Sequence, residues 1–426
     1  MPVKLKNSVR CATIVAGLVA GLTVADAQTF TGLGFLPGRT SSFGGAVSAN
    51  GSVVVGTSYS SPASGPVYRP FRWTGGPLVD LGTLVPLPSS AQAAGVSADG
   101  SKVVGPSFSN TQRFGFIWIN NLSGGTMSTL GTSPAGSGSS ASAISADGMV
   151  VTGFTVEGNN EYAMRWISGS GMVSLGTIGD SSSYGTCINS NGSVIAGYYN
   201  EAGSPFAFRW TQSVGMVSLG TMSGGTSSVA LGINADGSII VGSGNSEAGS
   251  FGFRWRAGFG FEELLPPMDW LDSEALGVSA DGNVVVGSGL SSNGREALLW
   301  SPTFGVTPLR SYLASLGANV TGWELVSAAA ISADGTTITG YGRHNGAIEA
   351  WVAKIPAIST PCPADLNQDG FVDDTDFQLF VVAYNLLDCL DPTMPLGCPA
   401  DLNVDGFVND ADFSTFVVAY NQLVCP

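Results

Sequence analysis

The chain has 426 residues, more than one ordinary core holds but within reach of a large repeat architecture, and only 11% of them are charged. Sixty glycines without a collagen period, and few Glu or Lys, point to short strands and tight turns rather than to helices. Most of the net charge of −15 sits at the C-terminus: residues 360–426 hold eleven Asp and no Lys, Arg or Glu, and no basic block occurs elsewhere, which argues against a nucleic-acid partner.

The chain opens with "MPVKLKNSVRCATIVAGLVAGLTVADAQTF". Lys4, Lys6 and Arg10 precede an apolar run from Cys11 to Val24, and Ala25-Asp26-Ala27 is a small-x-small cleavage site. The pattern predicts a signal peptide over 1–27 and a secreted, extracellular chain that starts at Gln28. Fourteen apolar residues are too few to span a bilayer, and no other stretch is suited to it, so no membrane span is expected after cleavage. Cys11 opens the apolar run instead of following it, which disfavours a lipoprotein.

Seven copies of one phrase follow: "AVSANGSVVVG" at 46–56, then copies at 95–105, 143–153, 187–197, 232–242, 277–287 and 330–340. Their turn glycines are spaced by 44–49 residues, with a final interval of 53, the range of propeller repeats. Asp-Gly or Asn-Gly between β-branched runs predicts a type I′ hairpin turn, which needs positive φ at both central residues. A tryptophan (Trp73, Trp118, Trp166, Trp210, Trp255, Trp300, Trp351) follows each turn glycine by 16–22 residues, placed to pack between neighbouring blades. The small residues before each turn suit the crowded centre, so that strand is expected innermost. The seventh copy lacks a fourth strand after "AWVAKIP", whereas the N-terminal "FTGLGFL" is a fourth strand without its first three. Joining them predicts a closed, seven-bladed, all-β propeller over 28–355 with no open edge.

The units resemble the HAF repeats of secreted bacterial proteins, through "PFRW" 70–73, "AMRW" 163–166, "AFRW" 207–210, "GFRW" 252–255 and "SLGT" at 174–177 and 218–221. No copy has that family's His; the only histidine, His344, lies elsewhere. The resemblance implies architecture rather than activity.

After a linker at 356–361, residues 362–426 hold the acidic tail. "DLNQDGFVDDTD" places Asp365, Asn367, Asp369, Phe371 (through its carbonyl), Asp373 and Asp376 at loop positions 1, 3, 5, 7, 9 and 12, with Gly370 at the sharp turn. "DLNVDGFVNDAD" repeats this with Asp401, Asn403, Asp405, Phe407, Asn409 and Asp412. This is EF-hand spacing with Asp for Glu at position 12, and two calcium sites are expected, because a hard divalent cation relieves the repulsion between crowded carboxylates. A helix should follow each loop, carrying Phe377, Phe380, Val381 and Tyr384, then Phe413, Phe416, Val417 and Tyr420. Residues 362–389 and 398–425 are identical at 21 of 28 positions. Cys362, Cys389, Cys398 and Cys425 pair either within each repeat, or as 362 with 425 and 389 with 398.

The paired loop-helix units resemble a type I dockerin. That resemblance implies two calcium ions and a docking partner, a cohesin-like protein, often in polysaccharide-degrading systems; another cell-envelope component is the alternative. Loop positions 10 and 11, which influence partner choice in that family, are Asp374-Thr375 and Asp410-Ala411 here, not Ser-Thr.

Catalytic signals are sparse. His344 is the one candidate for a histidine-dependent mechanism, Cys187 takes a small-residue slot of an innermost strand, and no His/Cys cluster suits zinc. No catalytic residue is assigned. Tyr198, Tyr199 and Trp270 are candidates for stacking on carbohydrate. The expected function is a secreted binding or scaffold protein; the second reading is a polysaccharide hydrolase or lyase with its active site in the propeller.

Overall fold

A computed structural model describes residues 29–420, apart from 61–65, 85–88, 110, 111, 123, 180, 359–363, 367–371, 373, 390, 392, 395–397, 399 and 403–405. The segment expected to be a signal peptide lies outside the described residues. Among the described residues, strands form seven antiparallel sheets, blades 1–7, over 41–80, 90–129, 138–176, 183–220, 228–264, 272–308 and 323–354. Blade 7 is completed by Phe30–Gly34, which pairs antiparallel with Ala347–Lys354 (Phe30↔Ala353, Gly34↔Ala350). The closure expected from the mismatched ends is therefore present. Within a blade the strands follow chain order, with the small-residue strand innermost. In blade 2 that strand is split into Ser90–Ala91 and Gly95–Val96.

The repeated turn differs from the type I′ hairpin its sequence predicts. Only the glycine has positive φ, between 66° and 82° over the seven copies. The glycine N–H instead reaches back three residues, as from Gly51 to the Ser48 carbonyl (3.0 Å), and Ser48 N–H pairs with Val53 O at 2.9 Å, giving a four-residue loop. The residue that opens the turn explains the difference. Ser48 Oγ accepts from Val53 N–H at 3.0 Å and donates to Asn50; Ser97, Ser145, Ser279 and Ser332 repeat the pattern with an Asp. Asn189 and Asn234 accept the same backbone N–H through Oδ1. A side chain thus holds the loop wide enough for its second residue to face the next blade.

Those second residues form a belt. Ala49 N–H donates to Ala98 O, Ala98 to Ala146, Ala146 to Ser190, Ser190 to Ala235, Ala235 to Ala280 and Ala280 to Ala333, at 2.9–3.2 Å, and Asp334 N–H closes the circle on Ala49 O at 3.4 Å. The glycine ending each phrase has a different cause. The innermost strand is irregular in register just after residues such as Gly44 and Gly185, which brings its carbonyl onto the second strand. A Cβ on Gly197 would lie 1.9 Å from Tyr184 O, and the other six copies are as tight, at 1.8–2.0 Å.

Blades are also tied by buried serines at the start of the innermost strands. Ser183 Oγ accepts from Ala163 N–H (2.8 Å) and donates to Gly176 O (2.5 Å) of the preceding blade. Ser42 links blade 1 to blade 7 in the same way, through Ala350 N–H and Gly34 O. The arginine of the "RW" pair reaches the following blade's turn: Arg72 donates to Gly100 O, Arg165 to Gly192 O and Arg209 to Gly237 O. Each repeat tryptophan belongs to one of seven apolar clusters, from fully buried Trp351 to half-buried Trp73. Packing between blades is thus what the tryptophan spacing had indicated.

Three helices complete the described residues: α1 (Leu309–Ser315) between blades 6 and 7, then α2 (Asp374–Tyr384) and α3 (Asp410–Tyr420) in the acidic tail. Both tail helices stand where the loops predicted them, but their buried face differs. Phe380, Ala383 and Phe416 are buried, whereas Phe377, Val381 and Phe413 are 38–40% exposed. Cys389 and Cys398 form a disulfide, which excludes pairing of Cys389 within its own repeat; Cys362 and Cys425 lie outside the described residues.

Candidate functional site

The propeller axis has two unlike ends. Beside the belt, Val47, Val96, Ile144, Ile188, Ile233, Val278 and Ile331 line the channel. Four residues earlier in each copy stand Phe43, Gln92, Ser140, Tyr184, Val229, Glu274 and Ser327, the first four of which line a cavity at the opposite mouth. The first ring is uniform because it packs the centre. The second varies in size, polarity and charge, as expected of a surface that meets something other than its own repeats.

Over blades 1–4 that mouth opens into a cavity of about 500 Å³, walled by Phe43, Tyr68, Phe154, Tyr184 and Tyr198, with Thr57, Gln92, Ser140, Ser142 and Thr186 between the rings. Aromatic contacts continue around it. Phe43 stacks on Tyr59 (5.6 Å) and meets Tyr341 edge-on (4.8 Å), while Tyr184 stacks on Tyr198 (4.8 Å) and meets Phe154 edge-on (5.4 Å). Burial, then the Glu161 carboxylate to which it hydrogen-bonds, push the Tyr184 phenol up to about 12; burial raises Tyr198 too. At neutral pH these hydroxyls are therefore neutral donors. Arg113 is the charged side chain of the wall, its guanidinium 4.5 Å from the Phe154 ring centroid.

Across the mouth, on blade 6, Asp272 and Glu274 lie two residues apart on one strand face. Arg295 bonds both, at 3.0–3.3 Å, and donates to Ser288 Oγ at 2.9 Å; Ser288 in turn donates to Glu274 at 2.7 Å. These carboxylates are spent on a fork of arginine bonds, which suits shape rather than acid–base work.

Five residues singled out from sequence take different places. Tyr198 lines the cavity, but Tyr199, one position on, points to the other face and is 4% exposed inside the blade core. Trp270 is half-buried against the cluster of blades 5 and 6. His344 is not a loose loop residue: its ring stacks on Trp323 (4.4 Å) and its Nδ1 lies 2.8 Å from Glu349, which also accepts from Gly34 N–H. It helps clamp the closing strand. Cys187 is buried and its thiol pushed up to about 12 by burial, consistent with a packing role. The mouth itself was missed. The available signal was the column of the repeat, four residues before the inner β-branched ring, where the copies stop agreeing.

In the tail, Asp365, Asp376, Asp401, Phe407, Asn409 and Asp412 are described; Asn367, Asp369, Phe371, Asp373, Asn403 and Asp405 lie outside the described residues. Asp376 and Asp412 are wholly buried beside a cluster that includes Val372, Phe380, Val408 and Phe416. Asp412 accepts Leu402 N–H (2.7 Å) and Asn409 N–H (2.9 Å), so its carboxylate folds the second loop around itself. Asp401 accepts Gly406 N–H at 2.8 Å. The repeats are also crossed: Tyr384 donates to Asp410 at 2.5 Å, and Tyr420 donates to Asp374. Asp401 also approaches Cys389 and Cys398, but both sulfurs are in the disulfide and are not metal ligands.

No family model matches the chain, and no curated protein matches it. Solved structures do. The β-propeller domain of the Trilobed protease from Pyrococcus furiosus, described as having an open velcro topology, aligns with a TM-score of 0.50 at 10% identity, covering 76% of this chain and 98% of that one. TolB from Acinetobacter baumannii aligns at 0.44 and 14%, covering 59% of this chain, which spans 62% of the TolB chain. An acylaminoacyl peptidase aligns at 0.49 and 10%, covering 75% of this chain and 51% of its own. Among the described residues no helix is long and apolar enough to cross a membrane. At these identities the likeness speaks for fold alone, and the chain is, by its seven sheets and by this comparison, a seven-bladed β-propeller followed by a short helical tail.

Proposed function

We propose that this is a secreted binding or scaffold protein, which holds a carbohydrate ligand at the aromatic mouth of the propeller and attaches through its tail to a cohesin-like or cell-envelope partner. The observation that carries the reading is the cavity over blades 1–4. Its described lining combines aromatic rings with neutral hydroxyls, an amide and one guanidinium, and the adjacent Glu161 carboxylate is engaged by Tyr184 and Arg113. The hydrolase reading needs a pair of working carboxylates, and the Asp272–Glu274 pair on blade 6 is occupied by Arg295.

For the tail, the donor chemistry fits calcium. The repeated loops are all-oxygen, and two carboxylates sit fully buried where only an ion or backbone N–H groups can neutralise them. Asp365, Asn367, Asp369, the Phe371 carbonyl, Asp373 and Asp376 would hold one ion; Asp401, Asn403, Asp405, the Phe407 carbonyl, Asn409 and Asp412 would hold the other. The bound ions would supply the charge balance that lets the loops close. The dockerin-like reading gains support from the exposed apolar side chains Leu379, Val382 and Val418 on the helices, which offer a docking face.

The test incubates the full chain with insoluble polysaccharides and scores retention together with release of reducing ends. Retention without release is expected. Release of reducing ends would overturn the reading in favour of an enzyme.

A further inference from the structure

We infer that the mouth takes an acidic carbohydrate, with Arg113 as the anchor for a sugar carboxylate. The inference rests on the binding reading above and narrows its ligand class. The wall comes first. Tyr68, Tyr184 and Tyr198 offer rings for the apolar faces of a sugar, while Gln92, Ser142 and Thr186 offer donors and acceptors for its hydroxyls. That mixture matches a polyol ring.

The charge comes second. Arg113 is the only charged side chain that lines the cavity among the described residues. Its nearest counter-charge is Glu161, which bonds to Tyr184 and lies 4.0 Å from Arg113, so the cation faces the cavity only partly compensated. The Phe154 ring, 4.5 Å away, fixes the plane of the guanidinium.

The third observation is how little of that fork is used. Arg113 donates one long bond to Ser140 Oγ, at 3.4 Å, and forms a loose, solvent-exposed ion pair with Glu161 at 4.0 Å, which leaves most of its donors uncommitted. Arg295, at the same mouth, is saturated by Asp272, Glu274 and Ser288. A guanidinium carries five N–H donors in a plane that fits a carboxylate through two parallel bonds. A neutral sugar would leave those donors to water; a uronic acid would use them. Its carboxylate would meet Arg113 while its ring lies against Tyr184 and Tyr198.

The test is calorimetric titration of the full chain with an oligogalacturonate and with a neutral xylo-oligosaccharide of equal length, at one calcium concentration. The oligogalacturonate should bind about 10- to 100-fold more tightly, the effect of a charge-assisted pair. R113Q should abolish that preference, R113K should keep part of it, and rising ionic strength should weaken the uronate alone. Because R113Q leaves the tail carboxylates intact, its loss of binding also separates the mouth from calcium bridges between tail and uronate. Near-ultraviolet circular dichroism checks that the variants fold. Equal binding of both sugars would overturn the inference and leave the binding reading standing. Binding of poly-glutamate in place of either sugar would make the site one for acidic peptides and overturn it. Failure of both sugars to bind would overturn the inference and the carbohydrate reading together.

Discussion

The propeller and the tail reach order by opposite means. In the propeller, a few devices recur around a ring: a belt bond and a tryptophan cluster throughout, a buried serine at most interfaces, and an arginine on the next turn at three of them. Almost no charge is buried, and the loss of one device leaves the other interfaces intact. The tail has two repeats and, among the described residues, a core of seven buried apolar side chains with two buried carboxylates beside it. In the proposed reading bound calcium balances those carboxylates, so order would rest on repetition in the first region and on an ion in the second.

The largest expected effect separates the two outright. Chelation of calcium should abolish the folding transition of the tail while moving that of the propeller little, because in so small a unit metal-binding energy is folding energy. Differential scanning calorimetry with and without chelator would read this as one transition lost and one kept. Both transitions unmoved would remove the metal from the account of the tail.

Next comes a single change inside the propeller. Gly197→Ala places a Cβ 1.9 Å from Tyr184 O, against backbone atoms of Tyr184 and Gly185 that have no side-chain freedom to yield. It should destabilise the propeller by about 3 kcal/mol, the upper range of overpacking. Gly76→Ala, where a Cβ meets open space and φ is not positive, is the control. Chemical denaturation of the pair would show whether the repeated glycine answers to steric need.

Smaller is the loss of one serine clasp. Ser183→Ala leaves Ala163 N–H and Gly176 C=O without their partner between blades 3 and 4. A cost of about 1–3 kcal/mol is expected from two unsatisfied buried groups. A change within error would mean that water or a shifted strand replaces the hydroxyl.

The smallest effect concerns acid. Hydrogen bonds from Ser97, then from the Ser101 backbone and side chain, lower the Asp99 carboxyl from 3.8 to about 2. A folded value below the unfolded one means that its contribution is present above about pH 4 and is lost as the pH falls toward 2. Asp99 is well exposed, so only a slight flattening of the acid limb is expected in Asp99→Asn. A melting-temperature series between pH 5 and 2 would detect it.

Much of this was legible in the chain. Seven phrases gave seven blades, and an orphan fourth strand at the N-terminus with a last copy lacking one gave the closure, because a repeat must bury its faces against copies of itself. The turn type was not legible. Asp-Gly between strands favours a two-residue hairpin locally, but the serine three residues before the glycine holds a wider loop, and the gain lies in a bond to another blade. Nor was the mouth. Phe43, Tyr68, Tyr184 and Tyr198 come from three different strand positions in two blades, and only the ring brings them to one cavity. Tyr198 and Tyr199 show the limit sharply: adjacent in sequence, one faces the mouth and the other the core.

The closing strand has a kinetic consequence. Phe30–Gly34 is synthesised first and finds its partner, Ala347–Lys354, last; the bond from Gly34 to Glu349 spans 315 residues. Each blade is a meander of near neighbours and can form early, but the circle cannot shut until the whole propeller has emerged. Until then Phe30–Gly34 and the edge of Ala347–Lys354 stand unpaired. The slow step of maturation is therefore a single long-range meeting, and nascent chains waiting for it are the species most open to strand exchange with one another.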